Sequence, residues 1–258
     1  MNKFLVIARK EIVDSMRDVR SVLSSLMFSL MGPVVVGLVS FAPGMRGPAQ
    51  SPIGALLAVF TLVSAFSGGM NVAIDMIAGE RERRSLLPLL LNAVPTREIA
   101  FGKWLAVSFF ALAGLIVNLS GSAIVFAMCG LHAPASWPYL ALAIGVGILP
   151  LAFLGAAAQL WLCTFCRSAK EAHTYLSMLV FLPMGIGMLL VFIPAARQPA
   201  FEFLPLLGQQ LSLLRLADVR KGSWFVPLVL GYLTLFVASI LMLISSERLK
   251  RDEIIYGS

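Results

Sequence analysis

The chain has 258 residues, of which 59% are hydrophobic and 13% are charged, and its mean hydropathy is +0.90. Soluble globular domains carry about 25% charged residues, so this chain has too few charges to solvate the surface of a folded soluble domain. The composition therefore excludes a soluble protein and indicates a chain that crosses a bilayer several times.

The opening segment 1–20 is typical of an amphipathic helix lying along a membrane surface. It carries eight charges, so we expect no cleavable signal peptide. Apolar residues recur at spacings of three and four, which places them on one helical face: Leu5, Ala8, Ile12, Met16 and Val19. Two interpretations remain open, a generic interfacial anchor or an elbow helix that enters the first span and touches a cytoplasmic partner.

Intervals without Asp, Glu, Lys or Arg predict an all-α polytopic membrane protein. The charge-free intervals are 21–45, 47–74, 104–166, 172–196 and 222–246. Roughly 20 apolar residues in a helix cross the hydrocarbon core, so four intervals hold one span each. The longest interval holds two spans, separated by the turn-rich loop 130–138. We expect six spans, near 21–42, 53–77, 104–128, 139–165, 173–194 and 224–245.

The distribution of basic residues predicts the orientation of these spans. If the N-terminus is cytoplasmic, 15 of the 20 Lys and Arg residues fall in cytoplasmic segments. An excess of basic residues in the cytoplasmic connections is the general rule for membrane proteins, so we expect both termini to be cytoplasmic, in the cell (inner) membrane. The same bias explains the net charge of +7. No aromatic-interleaved basic patch indicates a nucleic-acid partner.

The cytoplasmic connection 79–103 is the most informative loop. It contains a dense charge cluster, a short leucine-rich turn and a second charged step. The residues that we single out are Gly79, Glu80, Arg81, Glu82, Arg83, Arg84, Leu86, Leu89, Leu90, Arg97 and Glu98. The leucines are too few to form a span, so they must be buried against the membrane, the spans or another protein. A docking element for a partner explains both the leucines and the charges.

The outer connection between the fifth and sixth spans is unusually apolar. Segment 198–221 is too rich in Leu and Phe for a wet loop, yet its charge-free part is too short to span. We expect a re-entrant helical hairpin in the outer leaflet, with Gly208, Gln209 and Gln210 at its turn. Its backbone must be covered by protein or water, because lipid cannot satisfy it.

Several other residues suggest chemistry only weakly. Cys163, Cys166 and His173 are a poor ligand set, and we expect the thiols simply to pack, with no metal and no catalytic residue. Asp75 is near the cytoplasmic face, where pairing with Arg81 or Arg83 is the favoured interpretation. Lys103 lacks the upstream glycine of a phosphate loop, so we expect no ATP hydrolysis by this chain.

Three regions together resemble a known family. They are the opening Ala8-Arg9-Lys10-Glu11, the loop from Asp75 to Lys103, and the Phe165–Ala172 connection, with Leu204-Pro205 and Gly208-Gln209-Gln210 also fitting. In order and spacing these motifs resemble the permease subunits of type-2 ABC exporters, particularly the sodium-exporter-permease-like branch. The connection between the first two spans is short, without the large extracellular domain that members of that branch often carry.

The resemblance implies a two-component transporter. Loop 79–103 would be the coupling element for a separate soluble ABC ATPase subunit, which would bind ATP and Mg²⁺, while this chain binds no cofactor. Arg167, Lys170 and Glu171 would form a secondary cytoplasmic contact, and Leu204 with Gly208–Gln210 an outer gate. A second permease copy or a paralogue would pair with this chain. The alternatives are a secondary transporter or channel subunit, or an ABC-type subunit doing conformational work on a partner.

Overall fold

The computed structural model describes residues 3–41, 52–83, 95–128, 143–193, 198–217 and 225–249, which contain helices and turns but no strand. The helices are α1 Lys3–Arg17, α2 Val19–Phe41, α3 Pro52–Ser67, α4 Met70–Ile74, α5 Glu80–Glu82, α6 Thr96–Met128, α7 Leu149–Cys163, α8 Ala169–Phe192, α9 Leu207–Ala217 and α10 Phe225–Arg248. Two π-helical turns, Asp75–Gly79 and Ala143–Ile148, precede α5 and α7, and a 3-10 turn covers Pro199–Phe201.

The prediction of an all-α protein with six spans is confirmed. Six helical stretches in the described part of the chain are long and apolar enough to cross a membrane: Ser21–Ser40, Leu56–Glu82, Thr96–Val125, Ile144–Cys163, Ala169–Leu190 and Phe225–Arg248. The two boundaries beside loop 79–103 differ from the sequence-based expectation. The second span continues to Glu82 rather than ending near 77, and the helix of the third begins at Thr96 rather than near 104. Both helices extend beyond the apolar stretch because the charged residues next to it, mostly Glu, Lys and Arg, are also good helix formers.

The second, third and fourth spans form the centre of the bundle. Of their most apolar windows, 78%, 67% and 67% are buried, compared with 28% for the first span and 22% for the fifth. The first and fifth spans therefore turn long apolar faces outward. Their exposed side chains include Met27, Phe28, Leu38, Met178 and Phe181. Such faces require a bilayer or another apolar surface, because a monomer in water does not expose patches of this extent.

Small residues let the central helices approach closely. A Cβ atom at Gly114 would lie 2.6 Å from Ser29 Oγ and 3.1 Å from Gly68 Cα, and one at Gly155 would lie 2.8 Å from the carbonyl oxygen of Ala65. Close backbone approach at small residues is a general way of packing helices in membranes, because lipid provides no hydrophobic force between them. The contacts explain why glycines recur along these spans.

Buried polar side chains also connect the helices. Asn118 Nδ2 donates to the Ser29 carbonyl at 3.0 Å, and Gln159 Nε2 donates to the Phe66 carbonyl. Near the other end of the bundle, Gln209 Nε2 donates to Thr234 Oγ1 at 2.7 Å. Polar groups in an apolar environment need such partners, so these bonds fix which helices are neighbours.

Substitution of two glycines on α8 should separate close packing from helix propensity. An added Cβ at Gly187 would overlap Val59 Cγ2 and Gln210 Nε2, whereas one at Gly185 would meet nothing within 4 Å. We therefore expect Gly187→Ala to lower the free energy of unfolding by roughly 1–3 kcal/mol. Gly185→Ala should be neutral or slightly stabilising. Thermal unfolding of both variants in detergent measures the difference, and equal midpoints would contradict the packing described at Gly187.

Candidate functional site

Five elements meet at one end of the bundle, which we call the α1 end. The α1 helix packs on the first turns of α6, where the rings of Phe4 and Phe101 lie edge to face with centroids 5.0 Å apart. Arg97 at the start of α6 bonds Glu247 at the end of α10, with Nη2 and Oε1 2.9 Å apart. The end of the second span and the turn after α7 complete this surface. The sequence loop 79–103 both leaves and re-enters the bundle here.

Lys103 is the centre of a buried charge cluster at the α1 end. Its side chain is 1% exposed, and its Nζ lies 2.8 Å from Glu80 Oε2 and 3.5 Å from Glu11 Oε1. The same Nζ donates to the carbonyl oxygen of Met76 at 2.9 Å. Lys10 Nζ lies 3.4 Å from Glu11 Oε1 on the exposed side. We call Lys10, Glu11, Glu80 and Lys103 the Lys103 cluster; its two positive and two negative charges balance.

The local backbone explains how a lysine is accommodated in this position. The Glu80 N–H donates to the Asp75 carbonyl five residues back, which makes 75–79 a wide π-helical turn. The Met76 carbonyl in this turn accepts from Lys103 instead of leaving the ammonium without a backbone partner. A buried ammonium is costly unless its donors are satisfied and its charge is paired, and here three acceptors surround it. π-helical turns are frequent at functional sites.

The orientation of Glu80 differs from the sequence-based expectation. As the first residue of the charged loop, Glu80 was expected to face a partner protein. In the structure its side chain is 16% exposed and points inward to Lys103. The reason is the position of Glu80 on the helix face that packs against α6, which charge alone does not reveal. Glu80 and Lys103 thus close the base of the loop.

The next residues of the loop contact the turn that follows α7. Arg81 Nη1 donates to the Cys166 carbonyl at 3.0 Å, and Glu82 Oε2 accepts from the Ala169 N–H at 3.1 Å, at the start of α8. Arg83, which is 68% exposed, pairs with Asp75 at 3.3 Å. The favoured pairing of Asp75 with a neighbouring arginine is therefore confirmed. Arg84, Leu86, Leu89 and Leu90 lie outside the described residues, as does all of 84–94.

The expected secondary contact divides into internal and exposed residues. Ser168 caps α8 by accepting from the Glu171 N–H at 3.2 Å, while Glu171 Oε2 accepts from the Arg167 N–H at 2.7 Å. This reciprocal arrangement is a capping motif, so Glu171 has a structural bond. The side chain of Lys170 is exposed and lines an open groove of about 390 Å³ together with Asp75. Arg167 is also exposed.

The two thiols at this end are buried and free. Burial, reinforced by the charge of Glu171, raises the pKa of the Cys166 thiol to about 11. A thiol with such a pKa is protonated at neutral pH and is a poor nucleophile or metal ligand. Within the described ranges, no group of three or more His, Cys, Asp or Glu side chains could hold a metal ion.

Sequence reasoning missed the roles of Glu11, Lys103 and Glu247. A signal was available for the first of these. Glu11 follows Phe4 by seven residues and Ala8 by three, so it shares their helical face. That face packs on the bundle, where Ala8 and Glu11 are 5% exposed. Ala8 also belongs to the predicted apolar face, but Leu5 and Met16 of that face are 49% and 56% exposed, as a face that lies on a membrane surface would be.

The opposite end of the bundle contains the expected outer gate residues. The sequence predicted Gly208, Gln209 and Gln210 at the turn of a hairpin. In the structure they lie in the first turn of α9 and are buried. The chain reverses earlier, through 202–206, where Leu206 has a φ of 71°. The Leu206 N–H donates to Gln209 Oε1 at 2.6 Å, which stabilises the reversal without a glycine at that position. Leu204 is 47% exposed.

The fold and the charged end define a polytopic helical membrane subunit with one polar, densely connected face. Residues 5–218 match the family model described as ABC-2 family transporter protein, and the chain belongs to this family. The chain is also similar to the ABC transporter permease protein NatB of Bacillus subtilis (strain 168), with 34% identity over 159 residues. That alignment covers 59% of this chain and 41% of the relative, so the chain matches less than half of the relative's length.

Proposed function

We propose that the chain is the permease subunit of an ATP-driven exporter and is coupled to a separate soluble ABC ATPase subunit. The observation that carries the proposal is the closed base of loop 79–103. Glu80 and Lys103 join the two ends of the loop at 2.8 Å, and Arg81 and Glu82 attach it to the turn before α8. A displacement of the loop would therefore be transmitted to the second, third and fifth spans together.

In this proposal the α1 end is cytoplasmic and the chain lies in the inner membrane. ATP and Mg²⁺ bind to the ATPase subunit, whose closure moves the coupling loop. The α1 end has exposed charges at Arg83, Arg97, Arg167 and Lys170, and these set partner choice and register more than affinity. The leucines of the loop, Leu86, Leu89 and Leu90, would supply the apolar part of the contact with the ATPase.

Pairing of two permease subunits completes the transporter. The first and fifth spans turn apolar side chains outward, which suits both lipid and a second copy or paralogue. At the opposite end, Leu204 and Gly208–Gln210 close the outer side of the pathway. The membership of the ABC-2 family favours this function over that of a secondary transporter or channel.

Substitution in the leucine turn tests the docking role. The complex is purified from native membranes through a tag on the permease, and a co-purifying ATPase with a phosphate loop is the expected result. Leu89→Asp should reduce the amount of bound ATPase at least about tenfold, because an acidic side chain cannot be buried in an apolar seat. Leu204→Asp is the matched control at an exposed position of the opposite end. Normal ATPase binding by an inserted, folded Leu89→Asp protein would exclude the assigned docking site.

A further inference from the structure

We propose that Lys103 is a positioning residue that makes α1 move as one body with the base of the coupling loop, so that α1 transmits the ATP-driven movement to the first span. The proposal rests on the function proposed above. For α1 the sequence left open an interfacial anchor or an elbow helix that touches a cytoplasmic partner. The link between Glu11 and Lys103 would give this helix a mechanical role.

The α1 helix is attached to α6 by close packing and by an ion pair. A Cβ atom at Gly102 would lie 2.8 Å from Ile7 Cγ2 and 2.9 Å from the Phe4 carbonyl oxygen, so the two helices touch without a gap. Next to this contact, Glu11 Oε1 lies 3.5 Å from Lys103 Nζ, and both side chains are at most 7% exposed. The attachment is therefore both close-packed and ionic.

Separating α1 from α6 would cost free energy. If α1 moved away from α6, Lys103 would keep Glu80 but lose one of its two carboxylate partners. Glu11 would keep only the exposed Lys10. Separation would thus divide the cluster of four charges into two pairs and take one buried partner from both Glu11 and Lys103, which is less favourable than moving the whole cluster together. The cluster therefore favours joint movement of α1, α5 and the start of α6.

A short connection joins α1 to the first span. The helix is interrupted at Asp18, whose Oδ2 accepts from Ser21 Oγ at 2.6 Å and whose carbonyl accepts from the Val22 N–H at 3.2 Å. These bonds bridge the interruption from the α2 side. A tilt of α1 would therefore be passed to α2, since one residue separates the helices and the junction is hydrogen-bonded.

The test removes the link between α1 and Lys103 while keeping the docking loop intact. Glu11→Met replaces the carboxylate by an apolar side chain of similar length. We expect ATPase subunits to bind normally but permease-stimulated ATP hydrolysis in nanodiscs to fall at least about fivefold, the lower end of ordinary coupling between sites. Amide hydrogen exchange along α1 should become faster. Glu11→Gln keeps an acceptor for Lys103 Nζ and should restore much of the activity.

Asp14→Asn is the matched control on the same helix. Asp14 is 49% exposed and pairs only loosely with Lys10 and Arg17, both at 3.7 Å, so its loss should leave hydrolysis unchanged. If Glu11→Met fails to insert, the triple variant Glu11→Met/Glu80→Gln/Lys103→Met removes the buried charges together and should fold. The triple variant should bind the ATPase but hydrolyse ATP at the reduced rate expected of Glu11→Met.

The outcomes separate this inference from the proposed function. A wild-type complex without an ATPase overturns both. If the wild type is stimulated and Glu11→Met is active within twofold of it, the inference alone is overturned, because packing would then suffice. A triple variant active within twofold also overturns the inference, and it would show in addition that the Glu80–Lys103 contact is not needed for coupling. Loss of ATPase binding in Glu11→Met also overturns it, since Glu11 would then serve docking. Retained binding with lost stimulation, rescued by Glu11→Gln, supports it.

Discussion

Replacing Glu80 by lysine should destabilise the α1 end of the bundle rather than merely weaken a contact with a partner. The new ammonium would take the place of the Glu80 carboxylate, which lies 2.8 Å from Lys103 Nζ. The Lys103 side chain is 1% exposed. Removing one partner of a buried pair typically costs about 3–5 kcal/mol, and a like charge in its place adds repulsion. We expect a low yield of inserted protein and a thermal midpoint in detergent many degrees below that of the wild type.

Two neighbouring substitutions provide the comparison. Glu80→Gln keeps an oxygen that can accept from Lys103 and should be markedly milder. Glu82→Lys reverses a charge two residues further on, but Glu82 is exposed and contributes a single bond to the Ala169 N–H, so its loss should cost about 1 kcal/mol or less. Equal midpoints for Glu80→Lys and Glu82→Lys would show that Glu80 is not buried against Lys103.

Gly208→Ala should disrupt the opposite end of the bundle. A Cβ atom there would overlap the backbone carbonyl oxygen of Glu202, and the Leu230 side chain lies 2.7 Å from the same position. A backbone oxygen cannot rotate away as a flexible side chain can. The 202–206 turn must therefore shift, and with it the bonds that Gln209 makes to Leu206 and Thr234.

The expected loss of stability is roughly 1–3 kcal/mol or more, measured as the thermal midpoint of the purified protein in detergent. Gly145→Ala is the control, because a Cβ at Gly145 in the turn before α7 meets nothing within 4 Å. Limited proteolysis between α8 and α9 supplies a second readout, since a displaced turn should be cut faster. A midpoint and a cleavage rate like those of the wild type would refute the described approach of Gly208 to Glu202.

The number of spans could be predicted because it depends on one large effect. Each apolar stretch of about 20 residues is driven into the bilayer independently of its neighbours, so length and hydropathy suffice. Helix ends were less predictable. The helix that begins at Thr96 continues through Arg97, Glu98 and Lys103, because these residues are good helix formers although they are charged. The charge-free intervals therefore locate the apolar stretches but not the ends of the helices.

The inward orientation of Glu80 could not be predicted from the sequence. It depends on how the second span is rotated about its axis, and the π-helical turn at 75–79 changes that rotation. Lys103 was counted with the charges of the cytoplasmic connection 79–103. Lysines are almost never fully buried unless they are paired, so its charge gave no sign that two carboxylates and a carbonyl enclose the ammonium. The turn at 202–206 was misplaced because a glutamine side chain, rather than a glycine, stabilises the positive φ of Leu206.

The amide side chains that connect the spans have a consequence for how the protein responds to its surroundings. Asn118, Gln159 and Gln209 neither ionise in the physiological pH range nor carry a net charge. A membrane potential does about 2.3 kcal/mol of work per 100 mV on each elementary charge that crosses it, and none on these groups. The interhelical bonds that they make keep the same strength in an acidified or de-energised cell. Variation with pH or voltage would thus have to enter through ionisable side chains, such as those at the α1 end or Glu202 at the opposite end, or through the cargo itself.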